Sequence, residues 1–195
     1  LMEELTGAVL SKYGARALQY DASEGFAPLR EALVPHLAAR DVTATPEQVL
    51  VFSGSQGVLD TAGKIFISPG DVIAVEAPTY LGALQAFNPY EPRYAELETD
   101  EDGLIPESLD RVLATESVKF VYLVPTFQNP TGRTLSLARR KQVAEILVRR
   151  DALLLEDDPH SDLPYTGQRV PQPQSLAPPL SLIQLSLCRH SPLRP

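Results

Sequence analysis

Val121-Tyr122-Leu123-Val124-Pro125-Thr126-Phe127-Gln128-Asn129-Pro130-Thr131-Gly132 passes from an apolar stretch straight into a polar turn. The apolar half reads as a buried strand and Asn-Pro-Thr-Gly as a rigid reversal. In open α/β sheets ligands sit outside the carboxyl ends of strands, where such a turn would stand. A second apolar stretch, Ala152 to Leu155, ends in Glu156-Asp157-Asp158. An amide at one strand end and a carboxylate at the next can hold a ring bearing a hydroxyl and a basic nitrogen.

Upstream of this stretch, the sequence predicts a helix over 24–40, with Leu29, Leu33 and Leu37 four apart and Pro35 kinking or shortening it. Thr45-Pro46-Glu47 starts a new element, and Val49 to Phe52 reads as a short strand. Ser53-Gly54-Ser55-Gln56-Gly57 then turns into a helix carrying Val58, Leu59, Ala62, Ile65 and Phe66 at helical period. Ser68-Pro69-Gly70-Asp71 is a turn, Val72 to Val75 a strand, and 81–87 a weaker helix broken by Asn88 to Pro92. Tyr94 to Leu97 is expected as a short strand before an acidic loop, 98–103. A helix at 106–115, the strand 118–124, a long helix at about 136–150 and the strand 152–155 follow. That last helix presents Leu137, Val143, Ala144 and Leu147 on one face and a basic outer face. Strands alternating with helices predict an α/β fold, a mostly parallel sheet sandwiched by helices.

The 195 residues suffice for one core. A formal charge of −8 disfavours binding of nucleic acid by this segment. No apolar run approaches a membrane span, and the N-terminus has no signal-peptide pattern. The single cysteine, Cys188, excludes an internal disulfide framework and suits a reducing cytosol, so a cytoplasmic location is expected. Leu1 precedes Met2, which fits a start inside a longer parent, an unusual start codon or a cloning remnant. Beyond Gly167 the character changes: residues 168–195 are proline-rich, and Leu180 to Leu187 is the one apolar element in them. Proline at that density is not expected to continue a sheet of this type. Residues 1–167 are therefore read as a partial, incomplete domain and 168–195 as an atypical tail, with a frameshift or a damaged gene as the expected cause.

Gly54, Ser55 and Gln56 stand where the first turn of a helix offers free N–H groups and a positive dipole end to a phosphate. They match neither a Walker loop nor a dinucleotide fingerprint, and strand–glycine–helix turns are common without any ligand. Tyr80, just past a strand, can stack on a flat ring or simply pack at the edge of the core. Asp157 can keep a pyridine nitrogen protonated, which makes the ring an electron sink; an exposed acidic loop is the rival reading. Glu156, Asp157, Asp158, His160 and Asp162 offer ligand types for a divalent cation, but their spacing fits no standard motif. His36, on a helix surface, and His190 receive no catalytic role.

Several segments follow one another in a familiar order. Leu18-Gln19-Tyr20 precedes Glu24-Gly25 and Pro28-Leu29-Arg30, and Ser53-Gly54-Ser55-Gln56 comes next. After Glu76-Ala77-Pro78-Thr79-Tyr80 stand Phe127 to Gly132 and then Glu156-Asp157-Asp158-Pro159. Together, over about residues 10–167, they resemble fold-type I pyridoxal-phosphate enzymes, the class I/II aminotransferases. The nearest likeness is to the 2-aminoadipate and aromatic or kynurenine-type branch and to the aminotransferase-like domains of MocR-type regulators. The resemblance implies pyridoxal 5′-phosphate as cofactor and transfer of an amino group from an amino acid to a 2-oxo acid. It implies that Gly54, Ser55 and Gln56 hold the phosphate and that Tyr80 stacks on the ring. Asn129, preceding a cis Asn129–Pro130 bond, would bond the ring hydroxyl, and Asp157 would pair with the ring nitrogen. Tyr20 would reach the phosphate in a neighbouring subunit's site, which implies a homodimer.

Two departures stand out. His160 occupies the place of a family tyrosine that contacts the ring hydroxyl, and imidazole is shorter and titrates near neutral pH. Family members also carry a Ser-x-Ser-Lys and a Pro-Gly-Leu-Arg segment after the aspartate strand. Here no lysine follows Lys141, and Lys12, Lys64, Lys119 and Lys141 stand in other contexts. With the Schiff-base lysine absent there is no catalytic nucleophile, so this chain alone is expected to be inactive. It is also expected to be poorly stable, because a sheet without its later strands leaves an open edge and an uncovered apolar face. The rivals are a regulator's sensor domain, marked by a winged-helix segment upstream, and a folded non-catalytic pseudoenzyme.

Overall fold

Short apolar stretches, each followed by an amphipathic segment, fold into strands of one sheet covered by helices on both faces. The computed structural model describes residues 1–161 and the backbone of residues 181–185. The strands are β1 (Val72–Ala77), β2 (Arg93–Asp100), β3 (Gly103–Leu104), β4 (Val118–Leu123), β5 (Leu154–Asp158) and β6 (Ser181–Leu185). The described strands lie in the order β3-β2-β1-β4-β5-β6. All neighbours pair parallel except β2 and β3, which form an antiparallel corner. The fold is therefore the expected mostly parallel α/β arrangement.

The helices are α1 (Met2–Tyr13), α2 (Ala27–Ala38), α3 (Ser55–Phe66), α4 (Leu81–Phe87), α5 (Pro106–Thr115) and α6 (Leu137–Arg150). Strand side chains alternate between two apolar clusters. Val75, Tyr122 and Leu155 pack toward Leu59 of α3 and Phe87 of α4. Ala74, Val121 and Leu154 pack toward Leu109 of α5 and Leu147 of α6. Burying each such large apolar side chain stabilises the domain by about 1.5–3 kcal/mol relative to exposure.

Several sequence expectations need correction. Val49 to Phe52 is not a strand. A strand needs a lateral partner, and here Val51 N donates to Glu24 O at 3.0 Å while Leu50 is largely exposed. Helix α2 starts at Ala27 rather than residue 24, with Pro28 in its first turn, and continues past Pro35 to Ala38. His36 in α2 is half-buried. Most of the expected acidic loop 98–103 belongs to β2 and β3, because arginines neutralise it: Arg139 meets Asp100 at 2.6 Å, and Arg111 meets Glu98 at 2.7 Å. Leu137, placed on the core face of the last helix, is 40% exposed.

The proline-rich end also behaves differently from expectation. Ser181–Leu185 lies inside the apolar element foreseen at Leu180 to Leu187, and it extends the sheet parallel to β5, pairing Asp157 with Gln184. The five residues of β6 contain no proline, so its N–H groups are available to the ladder. The prolines of 168–180 and 192–195, with Cys188 and His190, lie outside the described residues.

Candidate functional site

The alternation along β5 divides its three acids between two faces. Tyr122 pairs in register with Leu155, and Asp157 stands two residues beyond Leu155 on the same face. Asp157 is buried and accepts the Tyr122 hydroxyl hydrogen bond at 2.7 Å. Glu156 and Asp158, also buried, take the opposite face, where their charge acts on Arg140 of α6. The rival picture of an exposed acidic loop is thereby overturned. The same divergence separates the carboxylates that a cation site would need to converge. Among the described residues no group of three or more His, Cys, Asp or Glu is placed to hold a metal, and Asp162 lies outside them.

The turn after β4 is anchored through Gln128, itself buried. Its side-chain amide donates to Pro78 O at 2.8 Å, tying this turn to the one after β1. Its carbonyl accepts the Thr131 N–H at 2.9 Å and the Thr131 hydroxyl at 2.6 Å. Asn129 is exposed, and both Asn129–Pro130 and Ala77–Pro78 are cis. Glu76, at the end of β1, accepts the Val124 N–H at 3.0 Å. Burial pushes the Glu76 carboxyl up to about 7, opposed by hydrogen bonds from Val124 and Gln128.

A fully buried arginine supports this turn from below. Arg140 Nε donates to Leu135 O at 2.8 Å, and Nη2 donates to Pro125 O and Thr126 Oγ1, each at 2.9 Å. Burial lowers its proton affinity, while Glu156 and Asp158 raise it. The expected basic outer face of α6 is thus incomplete. The signal was present in the sequence: residues 140, 143, 144 and 147 share one helical face.

Gly54 is the cap residue before α3; its backbone is extended (φ 168°, ψ 165°), and an added Cβ would meet no described atom within 4 Å. Among the described residues no side chain caps the helix, so its first N–H groups have no acceptor from a cap. Ser55 is half-buried; Gln56 is exposed, and its amide donates to Gly82 O at 3.2 Å. The Tyr80 ring lies directly against Gly82, so close that a Cβ on Gly82 would overlap its outer atoms. Tyr80 in turn packs against the apolar cluster that contains Tyr122. Gln56 thus reaches Gly82, against which Tyr80 lies, and Tyr80 packs on the cluster that includes Tyr122. Tyr122 bonds Asp157, and the Asn129 turn is tied to the turn before Tyr80 through Pro78.

His160 is half-buried just after β5. Tyr20 is fully exposed and is not brought into this group. Lys12, Lys64 and Lys141 are exposed on α1, α3 and α6, and Lys119 pairs with Asp71 at 3.4 Å at the amino ends of β4 and β1. Sequence reasoning missed Tyr122, Glu76, Gln128 and Arg140 as parts of the site.

A mostly parallel sheet thus carries a helix start, a buried aspartate and an amide turn at the edge where open α/β domains place ligands. The chain belongs to the aminotransferase class I and II family, whose model matches residues 10–185 and so runs past the change in composition at Gly167. Members of this family use pyridoxal phosphate. The chain is similar to an aromatic-amino-acid aminotransferase of Thermococcus litoralis, 43% identical over 87% of this chain and 42% of the relative. It is also similar to a 2-aminoadipate transaminase of Thermus thermophilus, 38% identical over 89% of this chain and 43% of the relative. Among solved structures, the kynurenine aminotransferase of Pyrococcus horikoshii superposes with a TM-score of 0.87 at 38% identity, over 94% of this chain and 47% of that one. The chain spans less than half the length of these relatives. No helix among the described residues is long and apolar enough to cross a membrane.

Proposed function

We propose that this chain is the cofactor-binding part of a pyridoxal-phosphate-dependent aminotransferase that moves an amino group from an amino acid to a 2-oxo acid. The observation that carries the reading is Asp157, a carboxylate buried at the carboxyl end of β5 beside the Asn129 turn. A buried carboxylate held by the Tyr122 hydroxyl at a strand end is placed to form a charge-assisted hydrogen bond with a protonated ring nitrogen.

The residues fit the group. The open space at Gly54 and the uncapped N–H groups of α3 suit a phosphate, with Ser55 and Gln56 as side-chain donors. Tyr80 presents a ring face for stacking, and Asn129 and His160 can both donate to the ring's hydroxyl oxygen. When bound, pyridoxal phosphate supplies an electron-withdrawing ring for breaking bonds at the α-carbon of an amino acid. Asp157 would keep the proton on the ring nitrogen, and the apolar cluster around Tyr122 and Leu155 would exclude water behind it. Exposed Tyr20 would reach the phosphate of a second copy's site, making the protein a homodimer.

None of the four lysines lies at these strand ends, so these 195 residues would bind the cofactor without bonding to it covalently. The names of the relatives point to aromatic, kynurenine or 2-aminoadipate-like substrates for the whole protein. A cytoplasmic location accompanies the reading, supported by the single cysteine.

The test is calorimetric titration with pyridoxamine 5′-phosphate, which cannot form an imine with lysine. Saturable binding at one site per chain, weakened at least tenfold by Asp157→Ala, is expected. Absence of binding, or binding indifferent to Asp157→Ala, would sink the proposal.

A further inference from the structure

We infer that Tyr122 is a positioning residue for the cofactor's ring nitrogen, acting through its hydrogen bond to Asp157. The inference rests on the reading of Asp157 given above. Tyr122 is fully buried, and its hydroxyl donates to Asp157 Oδ2 at 2.7 Å across the β4–β5 boundary. The pairing of Tyr122 with Leu155 sets both side chains on one face, so the contact follows from the strand register.

The hydroxyl is held from behind. The Tyr122 ring packs edge-on against Phe87 at 5.8 Å and 79°, and Phe87 packs against Phe120 at 5.5 Å. A ring fixed in this way leaves its hydroxyl little freedom to leave Asp157. The titratable groups facing that hydroxyl are Asp157, Glu76 and Tyr80. Burial first, and then the negative charge of Asp157, push loss of the phenol proton far up, so the hydroxyl stays a donor.

A donor on Oδ2 has two consequences. It fixes the plane of the carboxylate, and it stabilises that carboxylate in its charged form. Once a pyridine nitrogen sits against Asp157, the shared proton then stays on the nitrogen rather than passing to the carboxylate. With phenylalanine at 122 the carboxylate becomes more basic and less well aimed, and it competes for that proton.

Two measurements on the full chain test this. Calorimetry compares pyridoxamine 5′-phosphate with an analogue carrying C–H in place of the ring nitrogen. Tyr122→Phe is expected to weaken the first roughly tenfold, the scale of one lost hydrogen bond to a charged group, and to leave the second within about twofold. Equal losses on both ligands would assign Tyr122 a merely structural role and overturn the inference. If the unaltered chain binds both ligands alike, or neither, the Asp157 reading itself fails and the inference falls with it.

The second measurement needs no ligand. Carbon NMR of labelled aspartate follows the titration of Asp157, and its midpoint is expected to rise in Tyr122→Phe. An unchanged midpoint overturns the inference even if the Asp157 reading stands. Should phenylalanine prevent folding, a fluorinated tyrosine at 122 keeps ring and hydroxyl but donates more strongly. It should move the midpoint down, and no movement there also overturns the inference.

Discussion

The buried guanidinium of Arg140 donates to the main-chain oxygen of Pro125 at 2.9 Å, so a cation on α6 holds the first residue of the turn that carries Asn129. The same side chain reaches Leu135 O at the far end of that turn. Both ends of the segment 125–135 are thus closed by one residue, and the carboxylates of Glu156 and Asp158 act on it from the sheet.

Removing this cation should be severe. Arg140→Met leaves the carbonyls of Pro125 and Leu135 without these donors and strips a buried positive charge from two buried acids. Loss of one partner from a buried charged group typically costs about 3–5 kcal/mol. Arg140→Lys should recover little, because an ammonium cannot span the same set of acceptors. Urea denaturation of the two variants checks both statements; a loss under about 1 kcal/mol in Arg140→Met would contradict them.

Gly82 separates stability from cofactor binding. A Cβ at this position overlaps the outer atoms of the Tyr80 ring, which can swing away without moving backbone. Alanine also favours a helix over glycine by about 1 kcal/mol, offsetting part of the local strain. Gly82→Ala should therefore change the unfolding free energy by less than about 1 kcal/mol while weakening pyridoxamine 5′-phosphate binding several-fold through the displaced ring. Thermal unfolding and calorimetry on the same preparation decide it: unchanged affinity would mean that Tyr80 does not stack on the ligand.

The strands at 72–77, 118–123 and 154–158 and the helices over 81–87 and 106–115 were legible, because burial periodicity and turn residues are local signals. Such signals failed where an element depends on a distant partner. Val49 to Phe52 has strand composition, yet among the described residues Val51 N bonds Glu24 O, which belongs to no strand. Glu98 and Asp100 look like loop acids until Arg111 and Arg139, distant in sequence, meet them. The site shows the same division. Tyr80, Asn129 and Asp157 stand out by their place at or just past the ends of apolar strands, and Gly54 by its place at a helix start. Tyr122 and Arg140 look like ordinary core and surface residues until the fold sets one under Asp157 and the other under Pro125.

Asp100 gives an acid-side prediction. Hydrogen bonding to Arg139, with lesser help from the Asp102 N–H and from the Arg139 and Arg133 charges, holds its carboxyl down at about 2 against an ordinary 3.8. A depressed folded-state value means that the pair stabilises the fold above pH 3.8 and loses that contribution as pH falls toward 2. Arg139→Gln should return the Asp100 titration to the ordinary range by NMR. A midpoint that stays near 2 would show that Arg139 is not its cause.

Glu76 should act in the opposite direction. Its folded carboxyl titrates at about 7 against an ordinary 4.5, with burial as the main cause. The folded chain therefore holds a proton that the unfolded chain releases between those two values. Its contribution is fully present below pH 4.5 and is lost as pH rises through 7. The difference corresponds to roughly 3 kcal/mol across the window. Glu76→Gln keeps an acceptor for the Val124 N–H and removes the titration. The variant should match the unaltered chain near pH 4.5 and exceed it in stability above pH 7. Denaturation midpoints across that range are the measurement, and parallel pH profiles for the two proteins would show that Glu76 does not titrate as its burial requires.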